Sequence, residues 1–370
     1  MGAMDVRVQR SLVIPAPATL PPSSEVPFTV FDLSYHVTVL FAFAAPNPTN
    51  AALLDALAAT LPRFPLLTAR IERRHGPADR PFFITGRGGA GALVVEASVA
   101  SALEDHLPLM PSPELACLQP SPLDSRTRQH LFRLQINRFA CGGLIITSSS
   151  HHKAADGYSM STFFNASGPS SSHPEPAVGV IKRPEIINTM LHLHYSSESV
   201  AQIKAIAENK YTTFETITAH LWRKITIARQ EGFFGNVVLT ATSKSTAKEL
   251  ARGSLADAAA LVRAAIRAID GRYFQSFIDF GELHGDEELE PVDDGNEDYA
   301  LSSESWLHLD LHKLDFGCGG RLLGVVPPRI PLDGVLVLIP NLHKGDGVDV
   351  FVALCDKHAK ELRNIAYTLD

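Results

Sequence analysis

The sequence lacks the features that mark membrane-spanning, zinc-binding and nucleic-acid-binding proteins. No apolar run approaches the roughly 20 residues that cross a bilayer, and the N-terminal residues lack the apolar stretch of a secretory signal. The four cysteines form no CxxC pair, so neither a disulfide framework nor a zinc knuckle is expected. The net charge of −7 comes with no basic run of the kind that binds phosphate backbones. We therefore expect a soluble, cytosolic protein that binds neither membranes nor nucleic acid.

Several common catalytic signatures are absent as well. The patterns GxxxxGK(S/T), GxSxG and HExxH do not occur, which argues against phosphate-loop, serine-hydrolase and zinc-protease chemistry. Gly86, Gly88 and Gly91 do satisfy GxGxxG, but residues 93–96 after them are strand-like. A dinucleotide site needs a helix at that point, because the helix N-terminus binds the phosphates. We interpret these glycines as a hairpin turn.

Length and patterning indicate two packed halves that mix strands with helices. The 370 residues exceed one domain of roughly 150 residues. Residues 165–184 are rich in proline, serine and glycine and predict a linker between the halves. Residues 48–67 predict a helix with Asn50 as a candidate cap. After the linker, Ser197 and Ser254 are candidate caps of two further helices. The second of these places three apolar residues on a face predicted to be buried, namely Leu261, Ala265 and Ile269.

Two neighbouring strands are predicted ahead of the linker. Residues 132–137 alternate apolar and polar side chains, which is the period of a half-buried strand. Residues 144–150 are small or branched and begin with consecutive apolar positions, as in a strand covered on both faces. Further strands are predicted near residues 306–311 and 335–339. The strand at 144–150 therefore places the residues that follow it at the end of a central strand.

Two histidines and an aspartate follow that central strand. His152 and Asp156 form an HxxxD pattern with Gly157 behind it. Composition alone predicts roughly one such pair by chance, and a second does occur at His75 and Asp79 in a turn-like segment. An imidazole held where two halves meet suits a general base. The spacing alone leaves a hydrogen-bonded core histidine as good an interpretation of His152 as a base.

A glycine-rich turn late in the chain completes a larger pattern. Residues 315–319 read DFGCG, and glycines at this density allow two backbone segments to approach closely. HHxxxDG in the first half, a linker, and DFGxG in the second half resemble the plant BAHD acyltransferases. Similar blocks include residues 213–229 (TFETITAHLWRKITIAR), 232–239 (GFFGNVVL) and 273–280 (YFQSFIDF). Their character resembles the agmatine and related amine hydroxycinnamoyltransferases of that family.

The resemblance implies an α/β fold. Two domains similar to chloramphenicol acetyltransferase would each contain a mixed β-sheet flanked by helices, with a channel between the domains. Residues 1–164 would form the N-terminal domain with HxxxD, residues 165–184 a crossover linker, and residues 185–370 the C-terminal domain with DFGxG. The resemblance also implies a monomer whose partners are small molecules, with acyl-CoA as co-substrate, an amine or alcohol as acceptor, no bound cofactor and no metal.

The resemblance assigns roles to the motif residues. A hydroxycinnamoyl-type group would pass from acyl-CoA to an amine such as agmatine by direct attack, with His152 as general base. An alcohol acceptor is the alternative. Asp156 would shape the loop and pair with an arginine, and His151 would be a packing or hydrogen-bonding neighbour. The DFGxG residues would be structural, namely Asp315, Gly317, Cys318 and Gly319.

Two further residues are candidates for substrate binding, and two departures from the family point to another alternative. Acidic Glu304, just before Trp306, would hold a cationic amine tail, and His36 would line the same pocket. Many family members have tryptophan as a proposed oxyanion donor where this chain has Cys318. The strand that members carry before the segment at Glu231 is missing here. These departures make an inactive, truncated relative the alternative to an enzyme.

Overall fold

A computed structural model describes residues 4–17, 24–29, 36–73, 81–120, 129–166, 177–178, 195–206, 209, 212–214, 216–217, 233–284, 301–314, 321–330, 333–341 and 347–368. The chain divides into two compact units, one comprising Met1–Ser171 with Gly235–Asp370 and the other Ser172–Phe234. The predicted linker at residues 165–184 lies mostly outside the described residues. The division into domains 1–164 and 185–370 therefore stays a prediction.

The described residues form fourteen strands and seven helices. The strands are β1 (Val6–Ile14), β2 (Glu25–Pro27), β3 (His36–Phe43), β4 (Arg70–Arg73), β5 (Pro81–Ile84), β6 (Ala92–Val99), β7 (Phe132–Phe139), β8 (Leu144–His151), β9 (Ala177–Val178), β10 (Phe233–Phe234), β11 (Ser302–Ser305), β12 (Leu322–Val326), β13 (Val335–Pro340) and β14 (Val348–Ala353). The helices are α1 (Asn50–Thr60), α2 (Gly157–Ala166), α3 (Ser197–Ile206), α4 (Ala247–Arg252), α5 (Leu255–Ala268), α6 (Gly271–His284) and α7 (Asp356–Ile365).

Six strands form the main sheet, in the order β1-β6-β7-β8-β3-β12. Neighbours in it are antiparallel except β6 and β7, which are parallel. β8 lies inside the sheet, and its residues through Ser150 are buried, as its run of small and branched residues predicts. β12 comes from far along the chain and extends the sheet beside β3. The HxxxD residues therefore follow an interior strand.

β7 differs from its prediction in burial. The alternation of residue types predicts one exposed face, but Arg133, Gln135 and Asn137 are buried as well. Nε2 of Gln135 donates to Oδ1 of Asn137 at 2.8 Å, and Nδ2 of Asn137 donates to the carbonyl oxygen of Leu118 at 2.9 Å. Arg133 donates to Oγ of Ser149 at 3.2 Å. The half-buried interpretation is wrong because these polar groups pair inside the protein, which an alternating sequence does not record.

α1 confirms a helix in the predicted region but is shorter and has another cap. It covers Asn50–Thr60 and is followed by short 3-10 turns. The N-cap is Thr49, whose hydroxyl accepts from the N–H of Ala52 at 3.2 Å. Asn50, the predicted cap, instead donates from Nδ2 to Glu96 on β6 at 2.9 Å. Both residues suit a helix start, so composition alone did not distinguish them.

The GxGxxG segment connects two sheets. β5 before it belongs to the three-stranded sheet β2-β5-β4, and β6 after it belongs to the main sheet. Gly91 has a φ of +79°, and a Cβ atom there would lie 2.5 Å from the carbonyl oxygen of Ile14, so this position requires glycine. The hairpin interpretation is wrong, because the flanking strands do not pair with each other. The exclusion of a dinucleotide helix is confirmed, because a strand follows.

α2 packs aromatic side chains on one face of the main sheet. The ring of Phe164 lies 4.9 Å from that of Phe41 on β3, and the ring of Phe163 lies 5.2 Å from that of Phe132 on β7, both edge-on. All four rings are at most 3% exposed, and each buried side chain of this size contributes roughly 1.5–3 kcal/mol. This packing holds the start of α2, and the loop before it, at the end of β8.

The predicted helix after Ser254 is present, but its apolar face is not buried. The cap is confirmed, since Oγ of Ser254 accepts from the N–H of Asp257 at 3.1 Å. Leu261 is 38% exposed, and Ala265 and Ile269 are only partly buried. The prediction of an inward face is therefore wrong. Periodicity records which residues share a face, and it does not record whether another element covers that face.

Two smaller groups of strands complete the described part. β11, β13 and β14 form a sheet, and β13 confirms the strand predicted at residues 335–339. Residues 306–311, predicted as a strand, form turns after β11, so that prediction is displaced by a few residues. In the second unit β9 and β10 are parallel. The helix predicted near Ser197 is α3, although Oγ of Ser196 accepts from the N–H of Ser199 and is the capping group.

Candidate active site at the HxxxD loop

The HxxxD motif lies in the turn between β8 and α2. β8 ends at His151, whose N–H donates to the carbonyl oxygen of Leu131 at 2.7 Å. The chain then turns, with the N–H of Ala154 donating to the carbonyl oxygen of His151 at 2.9 Å, and α2 begins at Gly157. His152 is the first residue of the turn and is 7% exposed. A buried strand on one side and a packed helix on the other fix its position.

Burial controls the protonation of His152. Removal from water lowers the pKa of its imidazole below the ordinary 6.5, because the charged form loses hydration. The charge of Asp156, the backbone of His152 itself and the side chain of Asn236 raise the pKa in part. Since the net direction is downward, the ring is neutral at neutral pH. A neutral imidazole can accept a proton.

Asp156 is bound by backbone groups on two sides. Its Oδ1 accepts from the N–H of Ser159 at 2.8 Å, and its Oδ2 accepts from the N–H of Val237 at 3.2 Å. The first contact caps α2, which typically contributes about 1 kcal/mol. The resemblance implies an arginine partner for Asp156, but among the described residues backbone N–H groups occupy that place. The geometry supports a role in shaping the loop, which stays a prediction.

A distant segment, residues 235–237, binds the loop from the other side. The N–H of Asp156 donates to the carbonyl oxygen of Gly235 at 2.9 Å, and the hydroxyl of Ser159 donates to the same oxygen at 2.9 Å. The N–H of Gly235 donates back to that hydroxyl at 3.1 Å. Together with the contact from Val237, these bonds hold the segment against the start of α2.

Asn236 is a site residue that sequence analysis missed. It lies between the two backbone groups that bind Asp156, its side chain acts to raise the pKa of the His152 ring, and it is 3% exposed. It lies 84 positions from His152 in the chain, so no local spacing links the two. The signal that could have found it is the block GFFGNVVL, which contains it.

The side chains of His36 and His151 face each other across β3 and β8. The two residues are paired in the sheet, and their ring centroids lie 4.6 Å apart. Burial, assisted by His151 and Arg133, lowers the pKa of His36 to about 3. Burial, assisted by Lys153, His152 and Arg133, lowers the pKa of His151 to about 4. Both rings are neutral at neutral pH, and substrate binding by His36 stays a prediction.

The remaining predicted residues lie elsewhere or outside the described part. Glu304 lies on β11, opposite Val337, and is exposed. Nearby protein atoms raise the pKa of its carboxyl by desolvation, and the side chain of Trp306 lowers it in part through a hydrogen bond. Binding of an amine tail by Glu304 stays a prediction. Four motif residues lie outside the described residues, namely Asp315, Gly317, Cys318 and Gly319.

Two cavities lie away from the HxxxD loop. One of about 400 Å³ adjoins the ends of β6 and β7, and one of about 570 Å³ lies between α4 and α5. Neither is lined by His152, and the channel implied by the resemblance stays a prediction. Among the described residues, no group of three or more His, Cys, Asp or Glu is arranged to hold a metal ion. Within that same part of the chain, no helix has the length and apolar character needed to cross a membrane.

Comparison with known proteins decides the family. The model described as "Transferase family" matches residues 4–181 and 223–369, which is most of the chain. The chain belongs to this family, the BAHD acyltransferases. BAHD acyltransferases act on small molecules, use acyl-CoA as co-substrate and need no bound cofactor. The resemblance inferred from HxxxD and DFGxG is therefore confirmed at the level of the family.

Individual relatives agree with this assignment. Tryptamine hydroxycinnamoyltransferase 2 of Oryza sativa subsp. japonica is 29% identical over 92% of this chain and 93% of the relative. Agmatine hydroxycinnamoyltransferase 1 of the same plant is 29% identical over 96% and 95%. Among solved structures, vinorine synthase has a TM-score of 0.63 at 18% identity, with 96% of each chain covered. The α/β fold with mixed sheets and helices is thereby confirmed.

The alignment with one BAHD relative contains many positions at which this chain has no residue. The alignment with the agmatine relative spans 435 positions, whereas the chain has 370 residues. At least 65 aligned positions therefore hold a residue of the relative and none of this chain. The family match is also interrupted between residues 181 and 223. The chain thus matches most of the family pattern and lacks some residues that the agmatine relative has.

Proposed function

We propose that this protein transfers a hydroxycinnamoyl-type acyl group from CoA to an amine in the cytosol, as a monomer with His152 as general base. The observation that carries the proposal is the neutral, buried imidazole at the end of β8. Membership of the acyltransferase family supplies the reaction class. Relatives named for tryptamine and agmatine supply the class of acceptor.

The reaction follows from direct attack on the thioester. The amine nitrogen forms a bond to the carbonyl carbon, and the bond between that carbon and the CoA sulfur breaks. His152 accepts the proton that the amine loses and returns it to the departing sulfur. A positioned base of this kind typically contributes 10² to 10⁴ in rate. No covalent acyl-enzyme is required.

An amine acceptor must also lose its charge before it attacks. An amine with a pKa near 10.4 costs about 4.6 kcal/mol to deprotonate at pH 7. A second, cationic end of the acceptor needs a negative partner, and we assign that role to Glu304. His36, whose ring is neutral, would line the pocket. An alcohol acceptor would need neither a lowered amine pKa nor an acidic residue.

One observation favours a second candidate, an inactive relative that binds a ligand without turning it over. The alignment with the agmatine relative contains at least 65 positions at which this chain has no residue, and the apolar face of α5 is exposed. Missing segments remove packing partners, and a poorly packed site loses the alignment that catalysis needs. An experiment must therefore distinguish transfer, hydrolysis and binding alone.

The test is release of free CoA thiol from p-coumaroyl-CoA, with the acylated product identified by mass spectrometry. Agmatine, putrescine, tryptamine and shikimate serve as acceptors, each compared with buffer alone. We expect thiol release that depends on an amine, together with the amide. Product from shikimate alone would show that the acceptor is an alcohol and not an amine. Release without acceptor would indicate hydrolysis, and a folded protein that releases no thiol would support the inactive relative.

A further inference from the structure

We propose that Ser159 is a positioning residue for the candidate base: its hydroxyl holds residues 235–237 on the first turn of α2 and so fixes the turn that carries His152. The inference rests on the proposed function, in which His152 is the base. It gives a role in catalysis to a side chain of α2 that neither the HxxxD nor the DFGxG pattern contains.

The hydroxyl of Ser159 bonds both polar backbone groups of one distant residue. It donates to the carbonyl oxygen of Gly235 at 2.9 Å and accepts from the N–H of Gly235 at 3.1 Å. A serine hydroxyl can do both, because it has one proton to donate and two lone pairs that accept. Ser159 is 1% exposed, and Gly235 is buried as well. Since buried backbone groups need hydrogen-bond partners, this one side chain helps to hold Gly235 in place.

The distant segment completes the N-terminal cap of α2. Asp156 is the cap residue, and its Oδ1 accepts from the N–H of Ser159, the third residue of the helix, at 2.8 Å. In a capping box the side chain of that third residue would accept from the N–H of the cap residue. Here the carbonyl oxygen of Gly235 accepts that bond, at 2.9 Å. Oδ2 of Asp156 also accepts from the N–H of Val237 at 3.2 Å, so four hydrogen bonds join the helix start to residues 235–237.

The start of α2 anchors one end of the turn that carries His152. The other end is anchored by β8, and residues 153–155 separate His152 from Asp156. Ala154 and Ala155 are at most 2% exposed, so the turn has little room to change shape independently of Asp156. A displacement of about 1 Å can reduce a rate by about 100-fold. A loosely held helix start would therefore displace the base from its substrate and slow the reaction.

The first test is amide hydrogen exchange on the full chain, which needs no turnover, in Ser159→Ala and in a matched variant of the same helix. Ser161 is the control, because its hydroxyl also donates to a distant carbonyl oxygen, that of Leu309, at 3.0 Å, and it is 6% exposed. Val237 is the informative amide, since its own partner, Asp156, is present in both variants. Ser159→Ala should speed the exchange of this amide by about fivefold or more, and Ser161→Ala should leave it unchanged.

The second test is the rate of acyl transfer by the same variants. We expect Ser159→Ala to lower kcat by about 10-fold to 100-fold and to change KM for acyl-CoA by less than about twofold, because the base and not the donor is displaced. Ser161→Ala should keep the wild-type kcat, although each variant loses one buried hydroxyl and should lose thermal stability to a similar extent. Ser159→Cys keeps the shape of the side chain but offers only a weak donor, so it should behave like Ser159→Ala.

The outcomes separate this inference from the proposed function. Exchange at Val237 that is no faster in folded Ser159→Ala than in wild type or in Ser161→Ala would overturn the inference, and Ser159→Cys supplies the same test if the alanine variant does not fold. A wild-type kcat in Ser159→Ala would overturn it as well and leave transfer to amines by the wild type intact. Faster exchange at Val237 in a protein that transfers no acyl group would support the anchoring by Ser159 and contradict the proposed function.

Discussion

Among single residues, three imidazoles, one buried and two half-buried, differ in what opposes their removal from water. His152 is acted on by Asp156 and Asn236, both of which raise its pKa. His36 and His151 have positive or neutral neighbours, and their pKa values fall to about 3 and about 4. A base works best when its pKa lies near the operating pH. Of the adjacent pair His151 and His152, the second is therefore the better base at neutral pH.

The lowered pKa values predict a pH-dependent stability. A histidine whose folded pKa lies below its unfolded value near 6.5 gains a proton on unfolding between those values, so its stabilising contribution is complete above pH 6.5 and is lost as the pH falls toward about 4. With allowance for partial exposure, His36 and His151 should each lower the free energy of unfolding by about 1 kcal/mol between pH 7 and pH 5.

Urea denaturation at pH 7 and pH 5 measures this loss. His36→Gln removes one of the two contributions and should make the difference between the two pH values smaller. His358→Gln, on the exposed side of α7, is the control and should keep the full difference. An equal loss of stability in wild type and His36→Gln would show that His36 takes up its proton equally in the folded and unfolded states.

The assignment of Glu304 predicts a selective effect on KM. Agmatine carries a cationic guanidinium tail, whereas tryptamine carries a neutral indole. Because Glu304 is exposed on β11, its attraction for a cation is modest. Glu304→Gln should raise KM for agmatine by about twofold to fivefold and leave KM for tryptamine unchanged. If wild type and variant have equal KM values for both amines, Glu304 does not bind the acceptor.

Among the elements, the sequence pattern predicted those whose structure depends on residues that are close together in the chain. The apolar run of β8 and the turn before α2 could be predicted from residues 144–157, and both are present. β12 could not, because the sheet position of a strand depends on a partner, β3, that lies far away in sequence. Asn236 was missed for the same reason. The burial of α5 was mispredicted because Leu261 needs a covering element that periodicity does not record.

A buried carboxylate joins three elements of the main sheet region. Glu96 on β6 accepts from Nε of Arg10 on β1 at 2.9 Å and from Nδ2 of Asn50 on α1 at 2.9 Å, and it is 8% exposed. Glu96→Ala leaves these donors without their acceptor and should lower the free energy of unfolding by about 1–3 kcal/mol. Thermal and urea unfolding measure the change.

The control for Glu96 is another strand glutamate with an arginine partner. Glu72 on β4 pairs with Arg70, and both side chains are 41% exposed, so Glu72→Ala should cost less than about 1 kcal/mol. Similar losses for Glu96→Ala and Glu72→Ala would mean that burial does not strengthen the contacts of Glu96.

At the scale of the whole molecule, the chain combines a well-packed sheet with helices whose large apolar side chains are exposed. The side chains of β7, β8 and the start of α2 are buried, whereas the helices after residue 246 keep large apolar side chains exposed, such as Leu255 at 86% and Ile266 at 60%. The alignment with the agmatine relative contains at least 65 positions at which this chain has no residue. The strands and the helix around the HxxxD loop are thus well packed in a chain that lacks these positions.

The most direct experiment compares wild type with His152→Ala in acyl transfer from p-coumaroyl-CoA to agmatine, with circular dichroism to verify that both are folded. Wild type should form the amide with stoichiometric release of thiol. His152→Ala should retain the fold and form the amide at least about 100-fold more slowly, because the proton of the amine has lost its acceptor. Amide formation by folded His152→Ala at the wild-type rate would contradict the role of His152 as the base.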